Sequence, residues 1–198
     1  LYQATFDVKY LHIAIELSDY QIKYFWDFDN KGFFFTPSNK EQLLVRPKEI
    51  YDGAIPSGNS VSAYNYIRLG RILSRTDYEK ITNEIITTFS KNLNINGTGY
   101  SFMLQAVDFM FGPSYELLIF GKRGDKETEL MLSTIRKYQP HNSIIIYSDY
   151  QNADLKDVIP FISLYPPSKS SKPLVYICED YACSLPTSDI ETVISFLK

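Results

Sequence analysis

The chain predicts a mixed α and β fold, mostly α: a layered array of helical hairpins over 1–112, then a small parallel β-α-β sheet over 113–198. Three observations carry this. Up to Pro113 apolar residues recur at helical spacing, and the first long helix carries two apolar stripes where a surface helix needs one. After Pro113, short continuous apolar runs alternate with helical patterns, as in parallel sheets buried on both faces. A hydrophobic content of 44% in 198 residues is ample for the core of one domain, or of one domain with a small appendage.

Leu1 to Thr5 reads as a helix end and Phe6-Asp7 as a turn, with Asp7 capping a helix from Val8 to about Phe25. Its two stripes are Val8, Leu11, Ile15 and Ile22, and Tyr10, Ile13, Leu17, Tyr20 and Tyr24. DFDNKGFFFT (27–36) reads as a turn and a short extended run, with Leu43 to Val45 as its partner strand. Pro47 and Pro56 exclude regular helix between them. A helix follows from about Ser60 to Leu73, in which Gly70 implies close backbone packing. Thr76-x-x-Glu79 reads as a capping box opening the other half of an αα-hairpin, with Tyr78, Ile81, Ile85 and Phe89 on its face. Asn96-Gly97 marks a turn, and a further helix, roughly Tyr100 to Phe111, stops at Gly112-Pro113.

Beyond it, Leu117 to Phe120, Ile144 to Tyr147 and Leu174 to Cys178 read as buried strands. A helix from Asp125 to Tyr138 joins the first two, and Ser188-x-x-Glu191 caps a last helix. Tyr165 to Lys172 reads as a flexible loop.

Net charge of −3 and a pI near 5.4, with no basic stripe, argue against nucleic acid as a partner. No apolar run reaches the roughly 20 residues that span a bilayer, so no membrane partner is expected. No signal peptide is visible, and the chain opens at Leu1 in what reads as the tail of a helix. It is therefore expected to be a piece of a longer protein, with helix faces at the truncation that favour homodimerisation. Two cysteines make no disulfide framework, and the composition reads as cytoplasmic.

The segment LLVRPKEIYDGAIPSGNSVSAYNYIRLGRI (43–72) resembles the C-terminal part of the YyaL family of thioredoxin-domain-containing proteins, whose animal relatives are called spermatogenesis-associated protein 20. DNKGFFFT upstream and VYICEDYACSLPTSD near the end match the same family in the same order. The resemblance implies an N-terminal thioredoxin-like domain, absent here, followed by an (α/α) toroid like that of N-acylglucosamine 2-epimerases and six-hairpin glycosidases. Residues 1–112 would then be closing hairpins of that toroid, and 113–198 a small α/β subdomain packed on it. A carbohydrate ligand, and the thioredoxin-like domain of the same parent chain, are the implied partners. The alternative is a non-enzymatic scaffold that docks that domain in redox or protein quality control.

The residues themselves point to one loop. Asp52, Ser57 and Asn59 crowd the entry to an apolar helix, delivering more hydrogen-bonding groups than a single cap requires. Hydroxyl-rich ligands need such groups, and glycoside hydrolysis needs a carboxylate pair, for which Glu49 and Asp52 are candidates. The same residues also read as an Asp52-Gly53 turn and a Ser57 or Asn59 cap. Arg46 could grip an anionic group, or pair with Glu49 or Asp52. Asp108, within MLQAVDFMFG, must be paired, hydrogen-bonded or protonated if buried; it reads as a ligand-binding candidate or as an acid that anchors a neighbouring helix terminus.

Tyr and Phe make up almost all of an aromatic content of 15%; they read as sugar stackers or, more simply, as core. His12 and His141 match no epimerase motif and stand in no metal-ligand pattern, so neither metal nor cofactor is assigned. Cys178 and Cys183, spaced C-x4-C, read as two buried apolar thiols, with a redox partnership as the alternative. Gly121-Lys122-Arg123-Gly124 reads as a tight turn in a context that can hold phosphate.

Overall fold

Capping and glycine chemistry set the helix limits in the computed structural model, which describes residues 1–41, 43–150, 152–165, 172–179 and 182–198. The helices are α1 (Tyr2–Thr5), α2 (Lys9–Phe25), α3 (Gly58–Leu73), α4 (Thr76–Ile95), α5 (Ser101–Phe111), α6 (Lys126–Tyr138), α7 (Ala153–Val158) and α8 (Ile190–Leu197). The strands are β1 (Tyr115–Phe120), β2 (Ser143–Ser148), β3 (Leu174–Glu179) and β4 (Ala182–Cys183). The mostly helical, mixed fold expected from the sequence is borne out. The chain divides into two compact units, His12–Gly112 and Leu1–Leu11 with Pro113–Lys198.

In the unit His12–Gly112, α3 packs on α4 and α5. Its core is Ala63, Tyr66, Ile67, Tyr78, Ile85, Met103, Ala106 and Phe109, all at most 1% exposed. Tyr66 shows how an aromatic is accommodated there: its ring stacks on Phe33, and its hydroxyl donates to the Ser18 carbonyl at 2.9 Å. Gln21 Nε2 donates to Ser62 Oγ at 2.8 Å, a second tie between α2 and α3. Gly70 is explained by proximity, because a Cβ there would lie 2.7 Å from Glu79 Cγ and 3.1 Å from the Arg75 carbonyl. The stripe of α2 formed by Ile13, Leu17 and Tyr20 is exposed.

Two details of this unit depart from the sequence reading. Thr76 is the first residue of α4, not its cap; Arg75 holds the cap position and makes no side-chain capping bond. Glu79 Oε1 lies 3.6 Å from Arg71 Nε. Leu43 to Val45 form no strand and are exposed; the extended run is met instead by Pro47, whose carbonyl accepts the Phe35 N–H at 2.8 Å.

In the other unit the strand order is β2-β1-β3-β4. β1 and β2 run parallel, joined through α6, but β3 lies antiparallel to β1, so the sheet is mixed where three parallel strands were expected. An apolar run such as Leu174 to Cys178 carries no sign of its direction, and the connection from β2 is long enough for either. α6 begins at Lys126, one residue later than read from the sequence, and Asp125 is its cap, with its carboxylate accepting the Glu127 and Thr128 N–H groups. α8 is capped by Asp189, not Ser188; Asp189 Oδ2 accepts the Thr192 N–H at 2.9 Å. Gln3 Oε1 accepts the Ile145 N–H at 2.9 Å, covering part of the open edge of β2. Of the loop 165–172, residues 166–171 lie outside the described residues.

The cysteines are a correction. Cys178 and Cys183 face each other across β3 and β4 and form a disulfide. Antiparallel pairing places them directly opposite, a relation that C-x4-C spacing alone does not declare. Closing so short a loop stabilises by about 2 kcal/mol on chain entropy. We expect no thiol titre under native, oxidising conditions. After reduction the exposed Cys183 should alkylate well before Cys178, which is 3% exposed. Equal labelling of both without reductant would contradict the bridge.

Candidate functional site

The polar cluster ahead of α3 begins with a turn. Lys31 and Gly32 both adopt positive φ, 59° and 79°, reversing the chain so that Trp26 and Phe33 pair. Gly32 is needed twice over, since a Cβ would also lie 3.1 Å from the Phe89 ring. Asp27 organises the turn: Oδ1 accepts the Asp29 and Asn30 N–H groups, and Oδ2 meets Lys48 Nζ at 2.6 Å. Burial disfavours its charge, but the hydrogen bonds from Asn30, Lys48 and Asp29 prevail and hold its pKa at about 2, against an ordinary 3.8.

A depressed carboxylate pKa stabilises the fold at pH values above the unfolded value, and that contribution is lost as pH falls through the folded one. The stability gap between wild type and Asp27→Asn should therefore be full at pH 6 and shrink between about pH 4 and 2. Urea unfolding at several pH values checks this; a gap independent of pH would contradict it.

Asn59 is the hub. It is 2% exposed, its Oδ1 accepts the Phe33 N–H at 2.7 Å, and its Nδ2 donates to the carbonyls of Phe33 (2.9 Å) and Glu49 (2.8 Å). One side chain on α3 thereby fixes both the turn and the loop. Ser57 caps α3, with Oγ accepting the Ser60 N–H at 3.1 Å. Asp52 is 9% exposed; Oδ1 accepts the Ser57 N–H (2.9 Å), and Oδ2 accepts the N–H groups of Phe102 (2.9 Å) and Met103 (3.1 Å). These last two are otherwise unmatched donors at the start of α5, where a negative charge also suits the helix dipole.

Arg46 pairs with neither Glu49 nor Asp52. Its guanidinium donates to the carbonyls of Thr36 and Tyr24 and lies 4.1 Å from the Phe34 ring centroid. Asp108 is exposed on α5, against Gly112, and not in a buried pocket as its apolar neighbours suggested.

Beside Asn59 lies a cleft of about 210 Å³, lined by Phe25, Phe33, Phe34, Phe35, Gln21, Glu49 and Gly58. Phe33 belongs to the core at 3% exposure, whereas Phe35 is 64% exposed at the cleft. Of the sequence candidates, Glu49 and Asn59 line it; Arg46, Asp52, Ser57 and Asp108 do not. Phe35, Phe25 and Gln21 were missed, and the available signal was the apolar triplet Phe33-Phe34-Phe35 after a turn, where at least one ring must point away from the core. Among the described residues no group of three or more His, Cys, Asp or Glu is placed to hold a metal ion. No helix among them is long and apolar enough to cross a membrane.

Comparison with known proteins bears on the resemblance. No family model matches the chain. Human spermatogenesis-associated protein 20 is 29% identical over 191 residues, 96% of this chain and 24% of that protein. The resemblance read from the sequence is borne out. Spermatogenesis-associated protein 20 of Rattus norvegicus is 30% identical over the same share, and an uncharacterised protein of Caenorhabditis elegans is 27% identical over 194 residues. The chain spans about a quarter of the length of these relatives. Spermatogenesis-associated protein 20 is thus matched by both units, cleft included, and not by a single motif.

Proposed function

We propose that the unit His12–Gly112 contributes a carbohydrate-recognition cleft to a longer protein of toroid type. The observation that carries the reading is that an exposed ring, Phe35, lines one small cleft together with the acidic residue Glu49 and the amide residue Gln21. A sugar ring offers an apolar face to an aromatic and hydroxyls to carboxylates and amides at its rim. At about 210 Å³ the cleft falls below the roughly 300 Å³ where pockets for drug-sized ligands begin, a scale that suits a single sugar unit.

Among the described residues the lining includes one acidic residue, Glu49, and hydrolysis of a glycoside uses two carboxylates. The reading is therefore recognition; catalysis in the parent protein would need an acid from elsewhere. Asp52 serves this reading as the residue that holds the loop, and Arg46 as the one that packs over the Phe34 ring.

A thermal-shift panel of mono- and disaccharides tests the proposal. A rise specific to one sugar and lost in Phe35→Ala is expected. No rise with any sugar would overturn it and favour the scaffold reading, for which the exposed Ile13, Leu17 and Tyr20 of α2 offer an apolar face.

A further inference from the structure

A second cleft, in the other unit, lies at the carboxyl ends of the two parallel strands. β1 ends at Phe120 and continues as Gly121-Lys122-Arg123-Gly124, while β2 ends at Ser148 and continues as Asp149-Tyr150. The register pairs Ile119 with Tyr147 and Phe120 with Ser148, so the Phe120 and Tyr147 side chains project from opposite faces of the sheet. Arg123 lies over the Tyr147 ring, 5.8 Å from its centroid. Tyr150 stacks on Phe120 at 5.8 Å with an interplanar angle of 20°. Each loop thus leans across the neighbouring strand, one on each face. Divergence of this kind opens a crevice beyond the strand ends, the place where open α/β sheets hold their ligands. A cavity of about 330 Å³ lies there, lined by Lys122, Arg123, Asp149 and Tyr150.

The lining decides the chemistry. Two cationic residues, Lys122 and Arg123, line the cavity; among the described residues neither forms an ion pair within 4 Å of a carboxylate, and the Asp7 carboxylate acts on Arg123 only at longer range. Helix α6 does not supply the binding charge, because the Asp125 carboxylate already occupies its N-terminus. Arg123 offers a planar fork suited to phosphate oxygens, and Lys122 a mobile point charge. Asp149, on the opposite loop, would oppose a bare anion but can accept a hydrogen bond from a hydroxyl. Tyr150 holds φ at 66°, an uncommon value for a bulky residue, with its ring kept against Phe120.

We propose that this crevice binds a phosphorylated, hydroxyl-bearing small molecule: Lys122 and Arg123 hold its phosphate, and Asp149 accepts a hydrogen bond from its hydroxyl. The site is independent of the aromatic cleft and stands or falls separately.

The test is calorimetric titration of the whole chain with glucose 6-phosphate, inorganic phosphate and glucose. Glucose 6-phosphate should bind more tightly than inorganic phosphate. The double variant Lys122→Ala/Arg123→Ala should weaken it at least about tenfold, as expected for loss of charge-assisted bonds. Both side chains are exposed, so the variant should fold, and its response to neutral sugars should be that of wild type. Asp149→Asn should weaken glucose 6-phosphate and leave inorganic phosphate unchanged or improved. Equal affinity of wild type and double variant for glucose 6-phosphate, or no binding to either phosphate, would overturn the proposal.

Discussion

Asp52→Ala is expected to destabilise the chain by about 3 kcal/mol, lowering its melting temperature by roughly 6 to 12 °C. The carboxylate satisfies three backbone donors, those of Ser57, Phe102 and Met103, on two different elements. Removing it leaves those N–H groups without an acceptor, two of them at the start of α5, where charge and dipole also favoured the anion. Asp52→Asn should cost less, about 2 kcal/mol, because one carbonyl oxygen still serves two donors while the amide faces the third. Thermal unfolding of both variants checks this. A change within about 0.5 kcal/mol of wild type would show that the carboxylate is not what holds the loop to α5. A loss of ligand binding in an Asp52 variant therefore reports on the loop before it reports on the ligand.

Asn59 is the second large effect. Asn59→Ala should cost about 4 kcal/mol, since a buried N–H and two carbonyls lose their partner together. Asn59→Asp is the sharper variant. It keeps the acceptor for the Phe33 N–H but turns an oxygen toward the carbonyls of Phe33 and Glu49, so it should be no more stable than Asn59→Ala. Urea unfolding with an unchanged slope and a lower midpoint is the expected signature. An Asn59→Asp protein as stable as wild type would remove Asn59 from the centre of the account.

These two residues show what the sequence could reveal. Asp52, Ser57 and Asn59 were legible as a cluster, because so many polar groups before an apolar helix exceed the need for one cap. The targets of Asp52 and Asn59 were not, since each of their bonds crosses 5 to 51 residues to a backbone group that periodicity does not address. Ser57 was legible as a cap, and is one. Thr76 and Ser188 fitted the same pattern and are not, because a neighbouring Arg75 or Asp189 takes the position one residue away. A capping box states that a helix starts nearby, not on which residue.

The long helices and the three longer strands were legible from their repeat and from Gly and Pro punctuation. The six-residue α7 and the turn of 3-10 helix at Pro160–Leu164 were not, being too short to show a period. Strand direction escaped for the reason given for β3, and the disulfide escaped with it, since Cys178 and Cys183 become neighbours only once the β3–β4 hairpin is drawn. The aromatic cleft was hidden by the same ambiguity: an apolar triplet after a turn does not say which ring is core, as Phe33 is, and which faces out, as Phe35 does.

Trp26 gives the most direct test of the central claim, that the cleft beside Asn59 takes a sugar. It is the single tryptophan, it is buried, and its ring packs edge-on against Phe33 at 4.8 Å, next to the cleft wall. A fluorescence titration with the sugar that gives the largest thermal shift should produce a saturable change in Trp26 emission. Glu49→Gln and Phe35→Ala, both at exposed side chains, should each raise the dissociation constant at least about tenfold while leaving the melting temperature in place. Saturable binding with the same constant in wild type and both variants would place the sugar somewhere other than this cleft and contradict the account.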